Sequence, residues 1–397
     1  MRAWRLSAFS DGRLKRFGTC CGGGKTGTGP MKGDWSGGRD SGLVLALADA
    51  LGRETRRSWR IMEVCGGQTH AFMRFGLGDI LPTGLELIHG PGCPVCVTSV
   101  GAIDAVIGLA ARPEVTVCTF GDMLRVPGTR GDLLTAKARG GDVRIYYSPM
   151  QALEWARTEP GREVMVFAVG FETTAPSYAL LLDRAMREGV HNLSVLSALV
   201  LVPPVLRHLW KDGSRSRVEG LLAPGHVCAV TGFEEYEALA REIRIPVAVT
   251  GFEPVELMSG LLACVRLMER GESGVVNAYP RVVQREGNRR ARALLEDVFR
   301  VERRYLRGIG WIESGGWGLS ETHARFDAQE RFGLDLCHAA ADVQCISGRI
   351  LQGLAKPLEC PVFGTACTPE RPLGPTMVSS EGACAAYYRY GVPGGRS

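Results

Sequence analysis

The chain is 397 residues long, 45% hydrophobic and 22% charged, which suits a soluble protein of two or three domains. Residues 1–40 hold 8 of the 47 Lys and Arg but only 3 of the 42 Asp and Glu, leaving 39 of each sign elsewhere. The neutral body excludes a nucleic-acid footprint outside that tail, and no apolar run reaches the roughly 18–20 residues that span a bilayer.

Residues 1–40, rich in Gly, Ser, Thr and Arg without hydrophobic periodicity, have the composition of a disordered basic extension. Its run from Cys20 to Thr26 falls short of a phosphate loop, because Thr19 stands where the pattern needs glycine. Without the compact apolar segment and cleavage site of a secretory leader, a cytoplasmic location is expected. The thirteen cysteines are then expected as reduced thiols or metal ligands rather than as a disulfide framework.

Leucine and alanine at helical spacing predict a first helix over 43–56. Two short apolar runs, 61–64 and 85–88, each lead into a glycine-bearing loop that carries cysteine and histidine. The first loop contributes Cys65 and His70; the second contributes His89, Cys93 and Cys96. In an α/β sheet such loops gather at the carboxyl ends of strands, so both are expected to face one crevice. A helix over 99–111 follows, then strands over 115–120 and 143–147 and a helix opened by Pro149.

The pattern then repeats. A strand over 163–169 ends in GFETTAPS, with Thr173 and Thr174 as expected caps of a helix reaching about residue 188. Apolar strands over 193–202 and 245–250, the A-P-G-H-V-C stretch within 221–230 and a helix over 255–269 complete this half. Alternating strands and helices imply two doubly wound parallel-sheet α/β domains, 41–145 and 146–255, facing a cleft. Residues 256–397 differ in texture: basic helical segments over 288–304, a glycine-rich stretch, and a cysteine-dense tail expected to be a third unit.

Cys93-Pro-Val-Cys96 at a helix start can act as a redox couple, or supply half of a zinc site that no second C-x-x-C completes. Cys65, beside Gly66 and Gly67, reads as a functional thiol, the alternative being a buried inert one. Cys337, Cys345, Cys360 and Cys367, with Cys384 close behind, suffice for an iron–sulfur cluster or a structural zinc. Glu172 and His226 lie on loops at strand ends as proton carriers or hydrogen-bond donors. Cys118, Cys228 and Cys264 sit in apolar segments and are expected in the core.

The motifs MEVCGGQTH, HGPGCPVC, TFGDMLRVPG, YSPM, GFETTAPS, PGHV, GFEP, FGTACTPE and MVSSEGACAAYY closely resemble the HypD family of hydrogenase maturation factors. The resemblance implies two Rossmann-like domains and a third bearing a [4Fe-4S] cluster. It implies a scaffold for the Fe(CN)2CO unit of [NiFe]-hydrogenases, with Cys65 holding iron together with a HypC-type partner. Cyanide would come from a HypE-type donor, and the finished unit would pass to the hydrogenase large subunit. Cys93 and Cys96 would exchange electrons with the cluster, held by the C-terminal cysteines, here Cys337, Cys345, Cys360 and Cys367. From the residues themselves, His70 and Glu172 are expected to shape the pocket by hydrogen bonds, with His226 also at the site. Three positions depart from the family pattern: Gln68 for histidine, Cys228 for serine, and Ser347 for the cysteine before Gly348. The last leaves Cys345 or Cys384 to complete the ligand set. A general dithiol–disulfide oxidoreductase and a structural zinc protein are the rival expectations.

Overall fold

The computed structural model describes residues 38–211, 218–336 and 344–391. Residues 1–37 of the expected basic extension, and Cys337, lie outside the described residues. Eleven strands are present among those described: β1 (Trp59–Glu63), β2 (Leu85–His89), β3 (Val115–Thr119), β4 (Val143–Ile145), β5 (Glu163–Gly170), β6 (Leu193–Val200), β7 (Gly220–Pro224), β8 (Pro246–Thr250), β9 (Gly274–Asn277), β10 (Phe299–Leu306) and β11 (Gly310–Leu319). They form two sheets. One runs β2-β1-β7-β8-β9 and is wholly parallel. The other runs β10-β11-β6-β5-β3-β4, with β3 to β6 parallel and the β10–β11 hairpin antiparallel.

Central strands such as β3, β7 and β8 are buried at every position, so their sequences run apolar without alternation. Intervening helices start where capping residues occur. Asp40 accepts from the Leu43 N–H at the helix Ser41–Glu54, and Ser99 accepts from Ala102 at the helix Val100–Ala110. Thr174 occupies the expected cap position of the helix Ala175–Arg187, but its hydroxyl donates to the Phe171 carbonyl and caps no N–H. Cys118, Cys228 and Cys264 are fully buried, as expected. No helix among the described residues is long and apolar enough to cross a membrane.

The sheets do not divide at residue 145. The chain starts the first sheet with β1 and β2, builds the parallel part of the second with β3 to β6, then returns with β7 to β9. Strand runs alone do not reveal this, because pairing β1 with β7 is a contact across more than 150 residues. Nor do residues from 256 onward form one separate unit. The helix Pro254–Arg270 buries Leu257, Leu261 and Val265 with Ile61 and Leu222 of the first sheet, and β10–β11 extends the second. The basic stretch expected as helix over 288–304 is helical only across Arg289–Val298, then enters β10. The Arg304 guanidinium donates to the carbonyls of Ser197 and Trp317, each at 2.6 Å, and ties that hairpin to β6.

Candidate functional site

Because β2, β1, β7 and β8 are adjacent and parallel, the loops leaving their carboxyl ends are neighbours. Those loops carry Cys93, Cys65, His226 and Phe252 respectively. The β1 and β7 loops place the Cys65 sulfur 3.8 Å from both ring nitrogens of His226, whose ring packs on Phe252. The β2 loop crosses directly over the β1 loop: Gly92 accepts from the Gly66 N–H at 2.9 Å. A Cβ on Gly92 would lie 2.3 Å from the Cys65 nitrogen, so only glycine allows this crossing. The expected convergence of the two cysteine loops is present.

Cys65 precedes the helix Gly66–Arg74 and is only 4% exposed. Its surroundings are polar rather than hydrocarbon. Glu63 accepts from the Cys65 N–H at 3.0 Å, from the Thr69 hydroxyl, and from His89 Nδ1 at 2.6 Å. His89 Nε2 in turn meets the Tyr387 hydroxyl at 2.9 Å, joining the strand ends to the C-terminal helix Ala383–Tyr390. Burial pushes the Cys65 thiol far above its ordinary range, and the carboxylates of Glu381 and Glu63 add to the shift. Deprotonation there calls for a cation to take the proton's place, as metal binding does. Burial also holds His226 down to about 4, so its ring is neutral and able to accept a hydrogen bond.

Cys93 and Cys96 are joined as a disulfide, with Cα atoms 5.2 Å apart. Gly92, Pro94 and Val95 line a cavity of about 390 Å3 together with His226, residues 169–171 at the end of β5, Phe120 after β3, and Tyr147 after β4. Ser379, Ser380 and the exposed Glu381 close its rim. Loops from both sheets therefore meet at His226, the residue that the Cys65 sulfur touches.

The other expected residues occupy different surroundings. His70 faces the tail, with Nδ1 3.2 Å from the Ser380 carbonyl and Nε2 3.3 Å from the Tyr390 hydroxyl. Glu172 is buried behind the cavity, where Oε1 accepts from the Val202 N–H at 2.8 Å and Oε2 has no partner among the described residues. Burial raises its carboxyl to about 8. Gln68 is fully buried and donates to Thr250 Oγ1 at 2.7 Å and to the Ala223 carbonyl at 3.3 Å. It locks together the ends of β7 and β8.

In the tail, Cys345 and Cys360 are half-buried while Cys367 and Cys384 are buried. Residues 373–376 gather three of these thiols. The Leu373 N–H donates to the Cys367 sulfur at 3.4 Å, Gly374 lies against the Cys345 sulfur, and the Thr376 hydroxyl donates to the Cys384 sulfur at 3.1 Å. Ser347 points at Gly374 beside Cys345. Burial pushes Cys384 up to about 12, and the other three thiols add to the shift. Among the described residues no three ligands stand close enough to hold an ion as placed. Soft thiols, two of them receiving N–H or O–H donors, are nonetheless the donor chemistry that an iron–sulfur group takes.

Sequence reasoning missed Glu63, Tyr387 and Glu381. Glu63 had a signal, being a carboxylate at the end of an apolar strand just before Cys65. Tyr387 and Glu381 lie within the MVSSEGACAAYY stretch, but their place at the site did not show, since only tertiary packing brings the tail to β1 and β2.

A family model described as hydrogenase formation hypA family, HypD, matches residues 43–391. A hydrogenase maturation factor HypD of Rhodobacter capsulatus is 45% identical over 88% of this chain and 93% of its own. The protein of that name from Escherichia coli is 45% identical over 86% of this chain and 92% of its own. Hydrogenase maturation factor HypD2 of Bradyrhizobium diazoefficiens is 43% identical over 89% and 95%.

Proposed function

Since the chain belongs to the HypD family of hydrogenase maturation factors, we propose that it is a cytoplasmic scaffold for the Fe(CN)2CO unit of [NiFe]-hydrogenases. The iron is cargo, gripped by the Cys65 thiolate on one side and by a HypC-type partner on the other. A HypE-type protein delivers cyanide, and the hydrogenase large subunit receives the product. Neutral His226 holds the Cys65 sulfur in place, and Glu63 fixes the loop by its bond to the Cys65 N–H. His70 and Glu172 act at one remove, His70 by docking the tail and Glu172 by setting the loop after β5. The cavity walls exclude water from strong-field ligands that need a dry, reducing site. The Cys93–Cys96 pair stores two electrons next to the iron. A [4Fe-4S] cluster on Cys337, Cys345, Cys360 and Cys367, or with Cys384 completing the set, would supply electrons when bound.

The observation that carries this reading is the Cys65 sulfur set 3.8 Å from His226, which lines a cavity built by both sheets, with the C-P-V-C loop crossing the Cys65 loop at Gly92. Its test is genetic: Cys65→Ala in a strain lacking its own maturation factor is expected to abolish hydrogenase activity while the protein accumulates normally. Full maturation by that variant would remove the iron-ligand role. The Cys93–Cys96 disulfide also suits a general dithiol–disulfide oxidoreductase. That reading expects reduction of unrelated protein disulfides without any partner, whereas sulfurs 3% and 0% exposed admit only small or specifically docked substrates.

A further inference from the structure

The proposed redox role treats Cys93 and Cys96 as a pair, yet their surroundings are unlike. The Cys93 sulfur accepts the Cys96 backbone N–H at 3.3 Å, and its chain neighbours Gly92, Pro94 and Val95 line the cavity beside Cys65. The Cys96 sulfur is wholly buried, 3.7 Å from the carbonyl oxygen of Pro375. An N–H donor stabilises negative charge on the sulfur it meets; a carbonyl can only accept, and so favours a protonated S–H. Pro375 is itself held. Its neighbours Leu373, Gly374 and Thr376 meet the sulfurs of Cys367, Cys345 and Cys384, so four consecutive residues each touch a different cysteine.

Resting on the redox reading of this pair, we infer that its two sulfurs have fixed and different roles. Cys93 is the attacking sulfur that exchanges with sulfur-bound groups in the cavity beside Cys65. Cys96 is the resolving sulfur, positioned by segment 373–376 and thereby tied to the tail thiols. In the reduced chain the Cys93 thiolate attacks a disulfide R–S–S–R, forming Cys93–S–S–R and releasing one R–S−. Cys96 then attacks Cys93, expels the second R–S−, and restores the Cys93–Cys96 bond. Two electrons pass from the dithiol to the disulfide, and the two thiol protons go to the released thiolates or to solvent.

The test uses the full chain, reduced anaerobically, with the small disulfide cystamine as probe and peptide mass spectrometry as readout. In Cys96→Ser, cystamine should form a stable mixed disulfide on Cys93. In Cys93→Ser, Cys96 should react about tenfold more slowly, the rate equivalent of one hydrogen bond's difference. Equal rates, or a faster Cys96, overturn the assignment. Thr376→Val, combined with each serine variant, should raise the Cys96 rate severalfold and leave the Cys93 rate unchanged. No change in either rate overturns the positioning role of segment 373–376. If the reduced wild-type pair forms no mixed disulfide and never re-forms its own bond with cystamine, the redox reading fails and takes this inference with it. If exchange proceeds through Cys96 first, the redox reading stands and the inference alone is lost.

Discussion

Replacing Gly92 by alanine tests the crossing of the two cysteine loops, on which the whole site depends. The added methyl would sit 2.3 Å from the Cys65 nitrogen and 2.4 Å from both the Cys65 Cα and the Val64 carbonyl carbon. These are backbone atoms at the end of a buried strand and cannot swing aside. Gly92 has no left-handed backbone angle, so the penalty is steric alone. Overpacking a buried site costs about 1–3 kcal/mol, and an immovable obstacle places this case at the upper end. About 3 kcal/mol corresponds to a fall of roughly 5 °C in Tm for a chain of this size, read by circular dichroism. The Gly66 N–H, which donates to the Gly92 carbonyl, should also lose protection in hydrogen exchange. Gly52→Ala is the control. It lies in the helix Ser41–Glu54 with nothing within 4 Å of the added carbon, and should stabilise by about 0.5–1 kcal/mol. A Gly92→Ala protein that melts with wild type and keeps Gly66 protected would refute the crossing.

Glu172 should make the fold weaker as pH rises. Its carboxyl sits near 8 in the folded chain, above its ordinary value of 4.5, so its contribution is complete below about 4.5 and is lost as pH climbs through 8. Glu172→Gln should therefore flatten the decline in Tm between pH 5 and pH 9; an unchanged decline would place the proton elsewhere. Tyr387→Phe removes the hydroxyl that meets His89 Nε2 and should cost about 1 kcal/mol while loosening the helix Ala383–Tyr390 in hydrogen exchange. Unaltered exchange in that helix would show that the bond does not hold the tail. Thr376→Val should lower the temperature at which the tail unfolds by removing the donor to the Cys384 sulfur, and limited proteolysis of residues 344–391 reads this directly. A tail no more readily cleaved than wild type would contradict it.

Much of this molecule was legible in the sequence, and the reasons differ by element. The strands before Cys65 and Cys93 were visible because apolar runs ending in glycine leave few other conformations, and their common cleft followed from strand polarity. The partner of Cys65 was not visible. His226 reaches it because β7 pairs with β1, a pairing fixed by long-range packing rather than by local pattern. The same cause hid the interleaving of the two sheets. Phe299 to Leu306 misled in another way: basic residues at helical spacing continue from the preceding helix, but the carbonyls of Ser197 and Trp317 capture Arg304 and draw the segment into a strand. Segment 373–376 shows no motif at all, since its significance lies in four separate sulfurs that only the folded chain brings to it.

Infrared spectroscopy of the chain purified without oxygen alongside a HypC-type partner tests the central claim most directly. Bands of iron-bound cyanide and carbon monoxide are expected in the wild-type complex and absent from a Cys65→Ala complex that still binds its partner. The same bands at full intensity without the residue 65 sulfur would contradict it.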